Sequence, residues 1–144
     1  MSLDVLIDDD TLLEGLQRKA DQLPEELKNL VNTAAFAVDR EVKLAAPVKT
    51  GNLQGATSID NLSDYEKRIF VDEGIAPYAI YVIKGTDPHE IWAKPGSALN
   101  TPFGPYRKVK HPGSKANDYF ATGVANAQDE IDSAVEQFKS WILE

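Results

Sequence analysis

Cysteine is absent from the 144-residue sequence. Its absence excludes disulfide bonds, thiol-based catalysis and metal sites built on thiolate ligands, and it fits a reducing compartment. A chain of this size buries roughly 68–70% of its unfolded surface, which is enough for a core that needs neither bridges nor metal. We therefore expect one domain over residues 1–144.

Long apolar runs are also missing. No stretch approaches the roughly 20 apolar residues of a membrane span. Residues 1–10 lack the basic start and the apolar run of a signal peptide. We therefore expect synthesis in the cytoplasm without export, and no membrane partner.

Basic residues are too sparse for tight binding of duplex nucleic acid, which needs a dense basic face to neutralise phosphates. The formal net charge is −8. Residues 1–46 hold ten acids and five bases, residues 117–144 hold six acids and one base, and residues 47–116 hold seven acids and nine bases. The two ends of the chain are therefore acidic and the middle is weakly basic.

Apolar residues at spacings of three and four predict a long helix over residues 24–45. The stripe consists of Leu27, Leu30, Val31, Ala34, Ala35, Val38, Val42 and Ala45. Pro24 suits the first turn of this helix, and Pro47 should stop it at or before Ala46.

Residues 11–22 also show helical spacing, in Leu12, Leu13, Leu16 and Ala20. Asp10 or Thr11 is suited to cap a helix there, and Thr11 with Glu14 has the form of a capping box. The pattern leaves open whether this segment continues into the long helix or kinks at Pro24.

The middle of the chain carries short strand-like runs. Residues 54–62 and 65–72 predict a β-hairpin. Residues 89–93 and 106–111 predict two further strands that could pair across residues 94–105, a loop with three prolines and two glycines. Periodicity does not decide whether residues 78–83 form a strand or a short helix.

The last segment predicts a helix capped at Asn117. Its apolar residues recur at spacings of three and four, in Phe120, Val124, Ala127, Ile131, Val135, Phe138 and Ile142. The order of helix, strands and helix predicts an α+β fold, with a long N-terminal helix and a C-terminal helix packed on a small antiparallel β-sheet.

Residues suited to catalysis are few. The sequence has no phosphate-cradling glycine loop and no paired-histidine metal motif. Asp87, His89 and Glu90 could serve a small metal-dependent hydrolase or nuclease, which is the alternative function. A turn followed by a polar strand start needs the same residue types, so we expect no catalytic, cofactor-binding or metal-binding residues.

Three stretches carry a resemblance. Residues 46–53 read APVKTGNL after a long helix, residues 78–86 read YAIYVIKGT, and residues 111–113 read HPG ahead of an aromatic-led final helix. In this order they resemble the motifs of a tailed-bacteriophage family of tail-component proteins, also called tail-completion or head–tail joining proteins. The match runs from about residue 24 to residue 135.

The sequence departs from the family pattern at several positions. Members often carry an acid where Ile83 or Lys84 stands here, and a basic residue where Asn52 stands. Many also have a proline before the phenylalanine of the last helix, where this chain has Asp118 and Tyr119.

The resemblance implies a structural virion protein of the tail or neck, encoded by a phage or a prophage and made in the host cytoplasm. It implies no enzyme activity. The implied partners are further copies of the chain, forming a ring, and other tail or connector proteins, with DNA only as passing cargo. The motif residues, which are the candidates for assembly, are Pro47, Thr50, Gly51, Leu53, Tyr78, Ala79, Tyr81, Gly85, Thr86, His111, Pro112 and Gly113.

Overall fold

The computed structural model describes residues 9–49 and 51–144. The helices are α1 (Asp9–Ala45), α2 (Asn52–Ala56), α3 (Ala79–Lys84) and α4 (Tyr119–Leu143). The strands are β1 (Thr57–Ser63), β2 (Glu66–Val71), β3 (His89–Trp92), β4 (Leu99–Thr101), β5 (Gly104–Tyr106) and β6 (Lys108–His111).

The predicted α+β class is confirmed. Long helices at both ends of the chain accompany small antiparallel sheets. The strands form three separate two-stranded sheets, β1 with β2, β3 with β6, and β4 with β5. Within residues 9–49 and 51–144, no helix has both the length and the apolar character needed to cross a membrane.

Helix α1 is continuous through Pro24, which answers the question left open by the sequence. The placement of Pro24 in a first turn was therefore wrong, as was the cap at Asp10 or Thr11, because the helix already begins at Asp9. An internal proline costs about 3 kcal/mol. Contacts with α4 on the N-terminal side of Pro24 help to offset this cost, since the Lys19 ammonium donates to the Trp141 carbonyl and lies 4.9 Å from the centre of the Trp141 ring.

The C-terminal end of α1 lies where the sequence predicts it. The helix ends at Ala45, and the Ala46 N–H donates to the Val42 carbonyl at 3.0 Å. Pro47 follows directly and cannot continue the helix. The predicted stop before Pro47 is confirmed.

Helices α1 and α4 pack against each other along their apolar stripes. Val42 of α1 and Ala127 of α4 are fully buried. Arg40 on α1 donates to Glu130 on α4 and also pairs with Glu41 at 3.1 Å. The hydrogen bond to Glu130, followed by that to Glu41, raises the pKa of the Arg40 guanidinium. Apolar burial and an exposed ion pair therefore join the two helices.

The predicted β-hairpin is confirmed as β1 and β2, with Ser58 opposite Phe70 and Ile59 opposite Ile69. Its predicted start at residue 54 was wrong, because residues 52–56 form α2. Gly51 has a φ of 77°, and its carbonyl accepts the first bond of α2 from the Gly55 N–H at 2.9 Å. This turn places both buried residues of α2, Leu53 and Ala56, on the side that meets the core.

The predicted pairing of residues 89–93 with 106–111 is confirmed in β3 and β6, where His89 lies opposite His111. We call residues 89–111 the arm. The loop predicted over residues 94–105 was wrong in part, because β4 and β5 form a second hairpin within it. Its prolines are compatible with this hairpin, since Pro102 lies in the turn and Pro105 in the edge strand β5, and edge positions tolerate proline.

Residues 78–83, which the pattern left as strand or helix, are helical, since α3 spans Ala79–Lys84. The last helix begins at Tyr119, two residues after the predicted cap. Asp118 is the residue before α4, and its side chain accepts a hydrogen bond from the Ala121 N–H at 2.9 Å. The prediction of Asn117 as the cap was therefore wrong.

Candidate functional site

Two of the three sequence stretches of the family resemblance come together in one buried cluster. Ala46 and Leu53 from the first stretch and Ala79 from the second pack there with Val42 and Tyr119. Ala56 and Ala76 complete the cluster, in which every residue is at most 5% exposed. The first two stretches therefore share one core with the start of α4.

A surface cleft joins the first two stretches. Its volume is about 510 Å³, and its lining is Pro47, Lys49, Gly51, Asn52, Leu53, Tyr78 and Val82. The positive φ of Gly51 shapes the first wall, because L residues with a side chain rarely adopt this conformation. Thr50, a predicted assembly residue of the same stretch, lies outside the described residues.

The second and third stretches meet at the base of the arm. Thr86 and Ser114 exchange two backbone hydrogen bonds, each 3.0 Å long, and their hydroxyls lie 3.1 Å apart. A Cβ atom on Gly85 would lie 2.6 Å from the Ser114 carbonyl oxygen, and one on Gly113 would lie 2.9 Å from the Asp87 carbonyl carbon. Both glycines also have positive φ, so backbone strain and close approach together favour glycine at this junction.

This junction also connects to the final helix. The Asn117 N–H donates to the Val82 carbonyl at 2.9 Å, which ties the end of α3 to the residues before α4. His111 contributes on the other side, since its Nδ1 accepts from the Gly113 N–H at 3.1 Å. Pro112 lies between these two residues and is exposed. The residues in and around the third stretch therefore fix the course of the backbone between the arm and α4.

Two of the exposed motif residues, Tyr78 and Tyr81, are aromatic. Tyr81 is 61% exposed and Tyr78 also reaches the surface, while Ala79 between them is buried. Ile80 and Val48 add apolar surface from the second stretch and the first. Aromatic and aliphatic groups clustered at a surface are typical of protein-contact sites.

Asp87, His89 and Glu90 are the candidate residues for the alternative catalytic function. His89 and Glu90 are neighbours in β3, so their side chains point to opposite faces of the strand. Glu90 pairs with Lys108 at 2.7 Å, whereas His89 lies beside His111 with ring centres 5.1 Å apart. The His89 Nδ1 lies 2.9 Å from the Asp87 carbonyl. In the part of the chain that the structure describes, no three histidine, aspartate or glutamate side chains are grouped to hold a metal ion.

The burial of Tyr119 was not predictable from the sequence. Tyr119 is 1% exposed, and its hydroxyl has no hydrogen-bond partner among the described residues. Burial raises the pKa of this hydroxyl, with smaller contributions from Tyr78 and Asp118. The only available signal was its position at the start of the last helix, which does not distinguish a buried tyrosine from an exposed one.

Comparison with known proteins gives no relative. No family model matches the chain. No curated protein and no solved structure matches it either. A functional proposal therefore depends on the geometry of the residues in the three stretches of the resemblance and on the character of the surface.

The geometry supports binding more readily than chemistry. The motif residues supply a core, two tight glycine positions and exposed apolar groups. The cleft beside Gly51 is lined mainly by apolar groups together with Lys49 and Asn52. Such a surface suits contact with another protein.

Proposed function

We propose that this chain is a structural protein of a phage or prophage tail or neck, acting in tail completion or head–tail joining. It would assemble as a ring through protein–protein contacts. The observation that carries the proposal is the convergence of the three signature stretches on one structural unit. Residues 46–53 and 78–86 share a core and a cleft, and residues 85–86 lock against residues 113–114. Motifs separated in sequence are thus neighbours in the fold.

The character of the surface supports assembly. Trp92, Phe103 and Tyr106 are exposed on the arm, and Tyr81 is exposed beside the cleft. Aromatic residues are enriched in protein interfaces because they bury large areas for little lost conformational freedom. We infer that these residues contact other subunits, either copies of this chain or other tail or connector proteins.

The proposed location is the virion, after synthesis in the host cytoplasm. DNA would pass through the ring as cargo. The net charge of −8 supports this, since an acidic protein repels the phosphate backbone at short range and does not retain it.

The test is co-expression with the connector and major tail proteins of the same phage, followed by affinity purification and negative-stain microscopy. We expect co-purification and ring-shaped particles. Deletion of the gene should give particles in which heads and tails do not join. Deletion mutants that produce normal infectious particles would refute the proposal.

A point variant tests the signature surface itself. Tyr81→Ala removes an exposed side chain, so the free energy of unfolding should change by no more than about 0.5 kcal/mol. We nevertheless expect Tyr81→Ala to abolish co-purification with the connector and major tail proteins. Tyr65→Ala is the matched control, because Tyr65 is 52% exposed but lies outside the three stretches.

The corner between α1 and α2 offers a second variant. Gly51→Val introduces backbone strain at a φ of 77°, and nothing lies within 4 Å of the added Cβ atom. If the Gly51→Val variant still folds and still forms rings, the backbone conformation at Gly51 matters less for the fold and for assembly than we propose.

A further inference from the structure

The arm has little covering from the rest of the chain. Its strands pair with each other, and all four residues of β3 are exposed. Phe103, in the turn between β4 and β5, is 87% exposed. A two-stranded sheet alone is marginally stable in water. The arm therefore has the properties of a segment that gains stability when another surface covers it.

The arm is also the basic part of the molecule. Residues 89–111 contain four bases and one acid, Glu90. Lys108 pairs with Glu90, but Lys94, Arg107 and Lys110 are exposed and form no ion pair with any residue that the structure describes. Glu90 lies opposite Lys110 in the register of β3 and β6 but pairs with Lys108 instead, so the positive charges of these three side chains are not neutralised by an ion pair with any described residue.

Helix α4 has the opposite charge. Asp129, Asp132 and Glu136 are exposed, and their spacing of three and four places them on one face, which we call the acidic face. Glu136 pairs with Lys139 at 2.7 Å, and Asp132 accepts a hydrogen bond from Gln128 at 2.7 Å. The face opposite to the α1 contact is therefore strongly negative, and no base from another element forms an ion pair with these three residues in the described part of the chain.

We propose that the arm of one copy docks on the acidic face of α4 in a second copy. This inference rests on the proposed self-assembly and names its contact. The two surfaces are opposite in charge and belong to the same chain, so each copy carries both halves of the interface. A nucleic acid is the weaker fit to the arm, because the acidic helices of the same molecule would repel its phosphates.

The contact is heterologous, since different surfaces meet, and it leaves one arm and one acidic face free in every pair. Repetition of such a contact closes a ring when the rotation between subunits allows it, and gives a filament otherwise. The interface would bury Phe103 and Trp92 beside the charges. An apolar centre with charged groups around it is the usual organisation of a specific interface.

Charge exchange between the two surfaces tests this contact. In one variant, Arg107→Glu and Lys110→Glu make the arm acidic. In the other, Asp129→Lys and Asp132→Lys make α4 basic. Each variant alone should lose self-association in sedimentation velocity at about 0.1 M salt, because like charges then face each other across the interface. An equimolar mixture should regain it, because each arm then meets a helix of opposite charge.

Matched controls separate this contact from a general effect of net charge. Arg18→Glu with Lys67→Glu changes the charge as the arm variant does, and Glu14→Lys with Asp21→Lys changes it as the α4 variant does. Both controls should self-associate like the wild type. Raising the salt from about 0.1 M to about 1 M should weaken the wild-type association, since the screening length falls from about 10 Å to about 3 Å.

Cross-linking provides a second measurement that detects a weak contact. The chain has no cysteine, so Asn100→Cys on the arm and Ser133→Cys beside the acidic face each provide a single reactive thiol. Both positions are exposed. A short bismaleimide reagent should link the two variants only when they are mixed.

Several results would overturn the inference. One is a wild type that neither self-associates nor yields the mixed cross-link, and another is association that both charge variants retain. A mixture that fails to reassemble would do the same, as would an arm that binds DNA with no change in self-association on charge reversal. Normal rings from the arm variant with its tail partners would refute this contact and leave the proposed function standing, whereas rings absent even from the wild type with those partners would count against both.

Discussion

The backbone of α4 meets the backbone of α1 at Gly123 and Val42. A Cβ atom on Gly123 would lie 2.5 Å from the Val42 backbone nitrogen and 2.7 Å from Val42 Cγ2. Val42 is fully buried at the same point. The close approach of the two long helices at this point therefore depends on a missing side chain.

Gly123→Ala should therefore destabilise the protein. The added methyl group meets the backbone of α1, which cannot move away as a flexible side chain would, so the free energy of unfolding should fall by about 1–3 kcal/mol. Gly15→Ala is the control, because Gly15 lies in α1 with nothing within 4 Å of an added Cβ. There the change should stabilise by up to about 1 kcal/mol through helix propensity. Urea unfolding monitored by circular dichroism measures both, and equal effects would contradict the role given to Gly123.

The base of the arm predicts a difference between two glycines of similar φ. Gly85 has a φ of 73° and Gly96 a φ of 81°, but only at Gly85 does an added Cβ meet neighbouring backbone. Gly85→Ala should cost about 1–3 kcal/mol more than Gly96→Ala, since strain is common to both and the collision is not. Thermal unfolding of the two variants decides this, and a larger loss in Gly96→Ala would show that the bridge between Thr86 and Ser114 relaxes freely.

The start of α4 predicts which of two neighbouring polar residues caps the helix. Asp118→Ala removes the hydrogen bond to the Ala121 N–H and should cost about 1 kcal/mol. Asn117→Ala keeps the backbone bond to Val82, so its effect should stay within about 0.5 kcal/mol. Denaturant midpoints of the two variants provide the measurement. The reverse order would restore Asn117 as the cap.

Tyr119 predicts a dependence of stability on alkaline pH. Its pKa is raised in the folded state, chiefly by burial, above the usual value of about 10. Below that value both states hold the proton. Above it the unfolded chain releases the proton first, so this group makes stability fall as the pH rises.

Tyr119→Phe should remove that part of the alkaline loss. At neutral pH the variant should be as stable as the wild type or up to about 1 kcal/mol more stable, because a buried hydroxyl without a described partner is replaced by hydrogen. Urea unfolding at pH 7 and between about pH 9 and about pH 11 tests both statements. The other four tyrosines form a background common to both proteins. A clear loss of stability at neutral pH would reveal a hydrogen bond to the Tyr119 hydroxyl.

Sequence patterns predicted the elements that have one apolar face. The stripe ending at Ala45 and the stripe that includes Ala127 both face the core, because helical periodicity records a long buried surface. The hairpin of β1 and β2 and the pairing of His89 with His111 followed from strand-forming residues around turns.

The remaining elements have no comparable pattern in the sequence. Helix α2 is short, and its first turn depends on the positive φ of Gly51, which the sequence predicts as a turn but not as a helix start. Strands β4 and β5 are three residues long, which is too short for alternation to appear. Pro102 and Pro105 also favoured the prediction of a loop. The close approach at Gly123 depends on the relative position of two helices, which periodicity does not encode.

The sequence predicts which residues carry the resemblance but not how they are arranged in the fold. The motif residues could be named from their order along the chain, but the contact of Gly85 with Ser114 joins residues far apart in sequence. Residues such as Tyr119 and Phe103 had no chemical signal of their own. Their roles follow from burial in one case and exposure in the other.

The bridge between Thr86 and Ser114 fastens both ends of the arm at one point. The entropic cost of closing a flexible loop at such a point depends only weakly on its length, since each doubling of loop length adds about 0.6 kcal/mol. We therefore expect that a hairpin of different length can be exchanged there while the helical body keeps its own packing.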